Sequence, residues 1–253
     1  MIDLTDITFC EPFGLIYLGM FLRHFNALGK QFVVRAPKNR KVREYLARMR
    51  SWERFNFSED TVEREKLLRH TASTSFNDIY DIETSLTIAD EVYDKVLRVL
   101  RRSRVNIDKE GFAEAASELV DNFAQHSGSS LAACTMQYYP AVRRVDFAIG
   151  DCGIGIRGSL ASNPTYVRVG GWEHSEAALV AFDPLVSRKP EGGMGLTGVR
   201  EAIITSRGLL VLATGDGWVR IDGKVSEVVE VGRMEIDLPG VLIELTVWEG
   251  DSE

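Results

Sequence analysis

The stretch that most limits the fold is residues 108–127, DKEGFAEAASELVDNFAQHS. Residues three, four and seven apart share one face of a helix. Phe112, Ala116, Leu119 and Phe123 therefore form an apolar stripe that has to be buried against another layer. Glu114, Glu118, Asn122 and Gln125 line the opposite face, and Asp108 is placed to cap the helix start. A carboxylate one turn from a carboxamide, Glu118 and Asn122, is a usable catalytic pair, although the same pair also occurs on plain solvated helices.

Composition narrows the classes. With 253 residues and 45% hydrophobic content the chain can build one large core or two modest ones. The net charge of -7 argues against general nucleic-acid binding, and the basic clusters at 35–50 and 98–104 read as solvated helix faces. The opening MIDLTDIT lacks the basic and apolar regions of a signal peptide. The longest apolar run, near Phe13 to Leu22, is too short to span a bilayer, so a cytoplasmic location without membrane contact is expected. Cys10, Cys134 and Cys152 lack metal-ligand spacing and read as reduced thiols.

In chain order, residues 2–9 read as a buried strand, and Pro12 opens an apolar-striped helix that stops at Gly29. A strand over 31–35 and a helix over 41–50 complete a βαβα run whose strands should be parallel. Residues 1–55 form a half-domain too small to stand alone, 56–80 a polar connector, and 81–250 the main domain. That last part reads as a strand over 82–88, a helix over 89–102, the helix of 108–127, and strands over 131–139 and 142–149 joined at Pro140. Further strands are expected at 209–214, 218–221, 225–235 and 241–248, with 218–238 as an inserted hairpin. The fold class is α/β, with a two-layer sandwich built on a mixed sheet.

Two glycine clusters follow the central helix. Asp151-Cys152-Gly153-Ile154-Gly155-Ile156 comes directly after the strand ending near Ile149, and Gly192-Gly193-Met194-Gly195-Leu196 opens a later helix. A carboxylate at a strand end accepts a hydrogen bond from an exocyclic amine, and glycines let backbone approach a ligand closely. Glycines before a helix leave free N–H groups at its positive end, where phosphates bind.

The boxes ELVDN, DCGIGI and GGMGLTGV, in that order, resemble the ATP-binding GHKL or Bergerat fold of gyrase, heat-shock chaperones, histidine kinases and mismatch-repair ATPases. The resemblance implies ATP and Mg²⁺ as cofactors. Asn122 would hold the magnesium ion, Asp151 the adenine amine, and Gly153 and Gly155 the base pocket. Gly193, Gly195 and Leu196 would meet the phosphates, with Arg188 or Lys189 as a basic contact and 157–191 as a mobile lid. Glu118 would be the general base, acting on a serine hydroxyl or on water. The last strand departs from the family's Gly-Thr: it begins Gly240-Val241, with Thr246 five residues on.

The longer pattern looks most like the anti-sigma-factor serine kinases. Residues 2–49 resemble the C-terminal half of the anti-sigma-factor antagonist (STAS) domain, with Glu11-Pro12-Phe13-Gly14 at the turn where that family carries its phosphoacceptor serine. The implied function is an ATP-binding, serine/threonine kinase-like partner-switching regulator, whose partner is a STAS-type antagonist or a sigma-factor-like protein. A hydrolysing ATPase with nucleotide-gated homodimerisation and a non-catalytic nucleotide-binding module are the alternatives.

Overall fold

In the computed structural model, which describes residues 1–55, 76–82, 88–126, 131–184, 186, 195–225 and 228–249, helices and strands interleave along the whole chain. The first part runs β1 (Ile2–Asp3), α1 (Pro12–Ala27), β2 (Val34–Arg35), α2 (Arg40–Arg48) and α3 (Ser51–Arg54). Then come β3 (Phe76–Ile82), α4 (Ile88–Arg102), α5 (Lys109–His126), β4 (Ala132–Tyr139) and β5 (Arg144–Asp151). The remainder is α6 (Gly155–Ala161), a 3₁₀ turn (Pro164–Gly171), α7 (His174–Val180), α8 (Gly195–Thr205), β6 (Leu209–Asp222) and β7 (Val228–Trp248).

The main sheet has five strands in the order β3-β4-β5-β7-β6, and every neighbouring pair is antiparallel. The mixed sheet expected from sequence is thus corrected: β4 with β5 and β6 with β7 are hairpins, and hairpin-linked strands must reverse direction. Parallel pairing is confined to β1 and β2, as the βαβα reading requires. The four strands expected after residue 209 are two long ones, whose register shifts between Thr214 and Gly217. The supposed inserted hairpin is simply the outer half of the β6–β7 pair. At the other edge β3 begins at Phe76, inside the stretch read as connector.

Strand alternation divides the core in two. Val145, Phe147 and Ile149 face α4, α5 and α8, where the stripe Phe112, Ala116, Leu119 and Phe123 is buried as expected. The α5 start is capped as expected too, Asp108 Oδ1 accepting from the Gly111 N–H at 3.0 Å. The opposite face is covered by residues 1–55 of the same chain, so the sandwich has three layers rather than two. Leu15, Ile16 and Met20 of α1 pack on Ala133, Ala148, Ala213 and Leu242. Small residues let the helix close in. At Gly150 an added Cβ would come within 2.8 Å of Ile16 Cγ2.

Local chemistry fixes α1. Pro12 stands at its first position behind an extended Glu11, and Gly29 at φ +76° ends it, with the Lys30 N–H returning to the Phe25 carbonyl. Arg23 then reaches across to Asp81 on β3, and Arg54 of α3 binds the second Asp81 oxygen at 2.7 Å. No helix among the described residues is long and apolar enough to cross a membrane.

Candidate functional site

The end of β5 presents Asp151 on the face that α5 covers. Its side chain is 2% exposed, and the backbone N–H groups of Gly153 and Val241 donate to it. Burial pushes its pKa up to about 7, against the opposing pull of those two donors. The carboxylate is thus a buried acceptor poised near neutral pH. Beside it, Gly155 adopts φ +69°, and an added Cβ there would sit 2.8 Å from Thr214 Oγ1. Only glycine fits such backbone without strain.

Thr214 is the residue that sequence reasoning missed. Its hydroxyl donates to the Gly240 carbonyl at 2.9 Å and accepts from the Ile156 N–H at 3.2 Å. It pairs in register with Val241, so a hydroxyl does stand at this corner, supplied by β6 rather than by the strand that begins Gly240-Val241. Thr246 belongs elsewhere: it lies opposite Asp146 on the other sheet face and hydrogen-bonds that carboxylate. A pairing register of two strands separated by a hairpin is the signal that would have found Thr214.

On α5, Glu118 packs against α8, where an added Cβ on Gly198 would lie 3.0 Å from Glu118 Oε2. Burial raises the Glu118 pKa, with the Asp121 charge adding to it. Asn122 follows one turn on, half-buried, and its Nδ2 has no hydrogen-bond partner among the described residues. Glu118 also borders a groove of about 480 Å³ between α4 and α5, lined by Asp90, Tyr93, Glu114, Ser117 and Asp121. Glu114, idle in the sequence reading, is therefore a wall of that groove.

Helix α8 starts at Gly195, as the second glycine cluster implies. Leu196 and Ile156 pack on one small cluster of Leu160, Ala177 and Ala181. The Thr197 hydroxyl donates to the Phe182 carbonyl at 3.2 Å. The segment expected to form a lid is, over 157–182, largely helical and packed: Ala177, Ala178 and Phe182 are buried, and α7 lies on β6 with His174 over Gly215. Arg188, Lys189 and Gly193 lie outside the described residues, as do the side chains of Gln125 and His126.

Among the described residues no group of three or more His, Cys, Asp or Glu is placed to hold a metal ion by itself. Magnesium asks for less, since it commonly takes one or two protein oxygens and fills its octahedron with phosphate and water. The carboxamide oxygen of Asn122, one turn from Glu118 on α5, is a donor of that kind. Comparison of the chain with known family models, curated proteins and solved structures finds no match.

Proposed function

We propose that the chain is an ATP-binding regulator of the Bergerat type, acting as a serine/threonine kinase-like partner switch. One observation carries the reading. Glu118, Asp151 and the Gly195 helix start are far apart in sequence, yet α5 meets α8 at Glu118 and Gly198, while Leu196 shares a cluster with Ile156, whose N–H binds the Thr214 hydroxyl near Asp151.

In this reading Asp151 accepts from the adenine amine, and Gly153 and Gly155 let the base lie close to backbone. The N–H groups at the start of α8 face the phosphates. Asn122 would supply one oxygen to magnesium, which would neutralise phosphate charge there. Glu118, its pKa raised by burial, accepts the proton of the attacking hydroxyl. The STAS-like segment, docked on the back of its own sheet, would act in cis, where tethering gives it a high effective concentration.

Isothermal titration with Mg²⁺ and ATP tests the site: wild type binds, Asp151→Asn does not, and Asn122→Ala loses the magnesium dependence. Equal binding by wild type and Asp151→Asn overturns the assignment. Labelled ATP with candidate partners separates transfer to a serine from release of phosphate, the outcome of a hydrolysing ATPase.

A further inference from the structure

The back of the sheet, where residues 1–55 dock, holds a polar cluster that the nucleotide reading does not use. Arg144 reaches Glu11 at 2.5 Å and Asp146 at 2.9 Å, and its guanidinium lies over the Tyr139 ring. Glu11 stands at the N-cap position of α1, so this ion pair joins the docked segment to β5.

A third carboxylate, Glu244 of β7, enters the same space. Asp146 pairs with Thr246 and Ala148 with Glu244, so Asp146 and Glu244 are diagonal neighbours on one sheet face. The Phe13 N–H at the start of α1 donates to Glu244, while Glu244 Oε1 has no partner among the described residues. Three carboxylates (Glu11, Asp146, Glu244) thus gather around one guanidinium, Arg144, which pairs with the first two, a formal balance of -3 + 1 = -2 if all are ionised.

Among the described residues, Arg144 is the cation that acts on Glu244, and it lowers its pKa less than Asp146 and Glu11 raise it. Tyr45 of α2 is 7% exposed with no partner for its hydroxyl among the described residues, and Arg48 acts on it only as the weakest of its neighbours. Cys10, ahead of α1, and Tyr139 of β4 are neutral, both held so by burial. Concentrated like charge out of water is resolved by taking up a proton.

We propose that residues 1–55 are a proton-gated cover, held on the back of the sheet while Glu244 is protonated and loosened when that proton leaves. Glu244 is pushed up to about 8, by burial first and then by the Asp146 and Glu11 charges. Asp146 is raised to about 6, mainly by burial. Both values are raised in the docked state, so docking is strongest below the ordinary carboxylate range. It weakens as pH rises and levels off above about 8. The device reaches the site by contact: α1 backs onto Gly150 through Ile16 and onto Cys152 through the Met20 carbonyl, on either side of Asp151. It does not depend on what Asp151 binds.

Hydrogen exchange of the full chain, read as protection factors of the α1 amides Leu15 to Leu22, tests the proposal. In wild type, protection falls about tenfold per pH unit between pH 6 and 8, the slope for one proton. Glu244→Gln flattens it. Glu11→Gln, which removes one repelling charge, moves the levelling-off to lower pH. The α5 amides of Leu119 and Val120, on the other sheet face, stay more protected than the α1 amides at pH 8, because the cover loosens before the rest of the fold opens. A flat wild-type profile, an unchanged α1 slope in Glu244→Gln, or α1 and α5 amides of equal protection across pH 6 to 8 each overturn it.

Discussion

Thr214 lies directly across the β6–β7 pair from Val241, and its single hydroxyl joins the Gly240 carbonyl to the Ile156 N–H. The end of the sheet and the first turn of α6 are therefore held by one side chain. Thr214→Val keeps the shape and leaves both backbone groups without this partner. Urea unfolding should show a loss of about 1–3 kcal/mol. Thr214→Ser should recover most of it, and ATP affinity should follow the same order.

Gly155→Ala adds a methyl at φ +69°, 2.8 Å from the same hydroxyl. The left-handed backbone alone costs about 1–2 kcal/mol, and the clash adds to that. Because the clashing atom is Thr214 Oγ1, the double variant with Thr214→Ala should cost less than the two single changes summed. Chemical denaturation of the four proteins completes the cycle.

Asp151, raised to about 7, should make nucleotide binding depend on pH. Only the ionised carboxylate accepts fully from an amine, so affinity at pH 8 should exceed that at pH 6 about tenfold. The stability of the ligand-free protein should run the other way. A folded pKa above its ordinary value gives a contribution that is complete below the carboxylate range and is lost as pH rises through 7. Asp151→Asn should make that profile shallower in a thermal-melting series, leaving the fall that Glu244 and Asp146 contribute.

Arg23 binds Asp81 and also donates to the Arg54 carbonyl at 2.9 Å, linking α1, α3 and β3. Both charged side chains are mostly buried, at 14% and 29% exposure. Arg23→Ala should destabilise by about 1–3 kcal/mol. Asp81→Ala in addition should cost more than the single change, because it also breaks the pair that Arg54 makes with the second Asp81 oxygen. Denaturant midpoints of the two variants decide it.

Much of the site could be read from residues because its parts are local. Asp108 and the α5 stripe follow from helix periodicity, and Asp151, Gly153 and Gly155 lie within one turn of chain. What escaped depends on partners distant in sequence. Thr214 matters only through its register with Val241, and Glu244 only because α1 folds back over β7. The edge strand β3 was hidden because FNDIYDI carries polar residues that also suit a connector. Its strand state is imposed by pairing with β4. Expected strands over 2–9 and 31–35 shrank to two residues each, since β1 and β2 have only one another to pair with.

Helix α1 finds its packing partners at Ala133, Ala148, Ala213 and Leu242, all more than a hundred residues further along. Contacts of such separation must close long loops before they stabilise anything, which slows folding. Part of the first helix can pack early on Leu4, Val34, Leu46 and Phe55, but the surface that meets the sheet stays bare until the last strand has been made. For that interval the chain is open to aggregation and is a natural client for a chaperone.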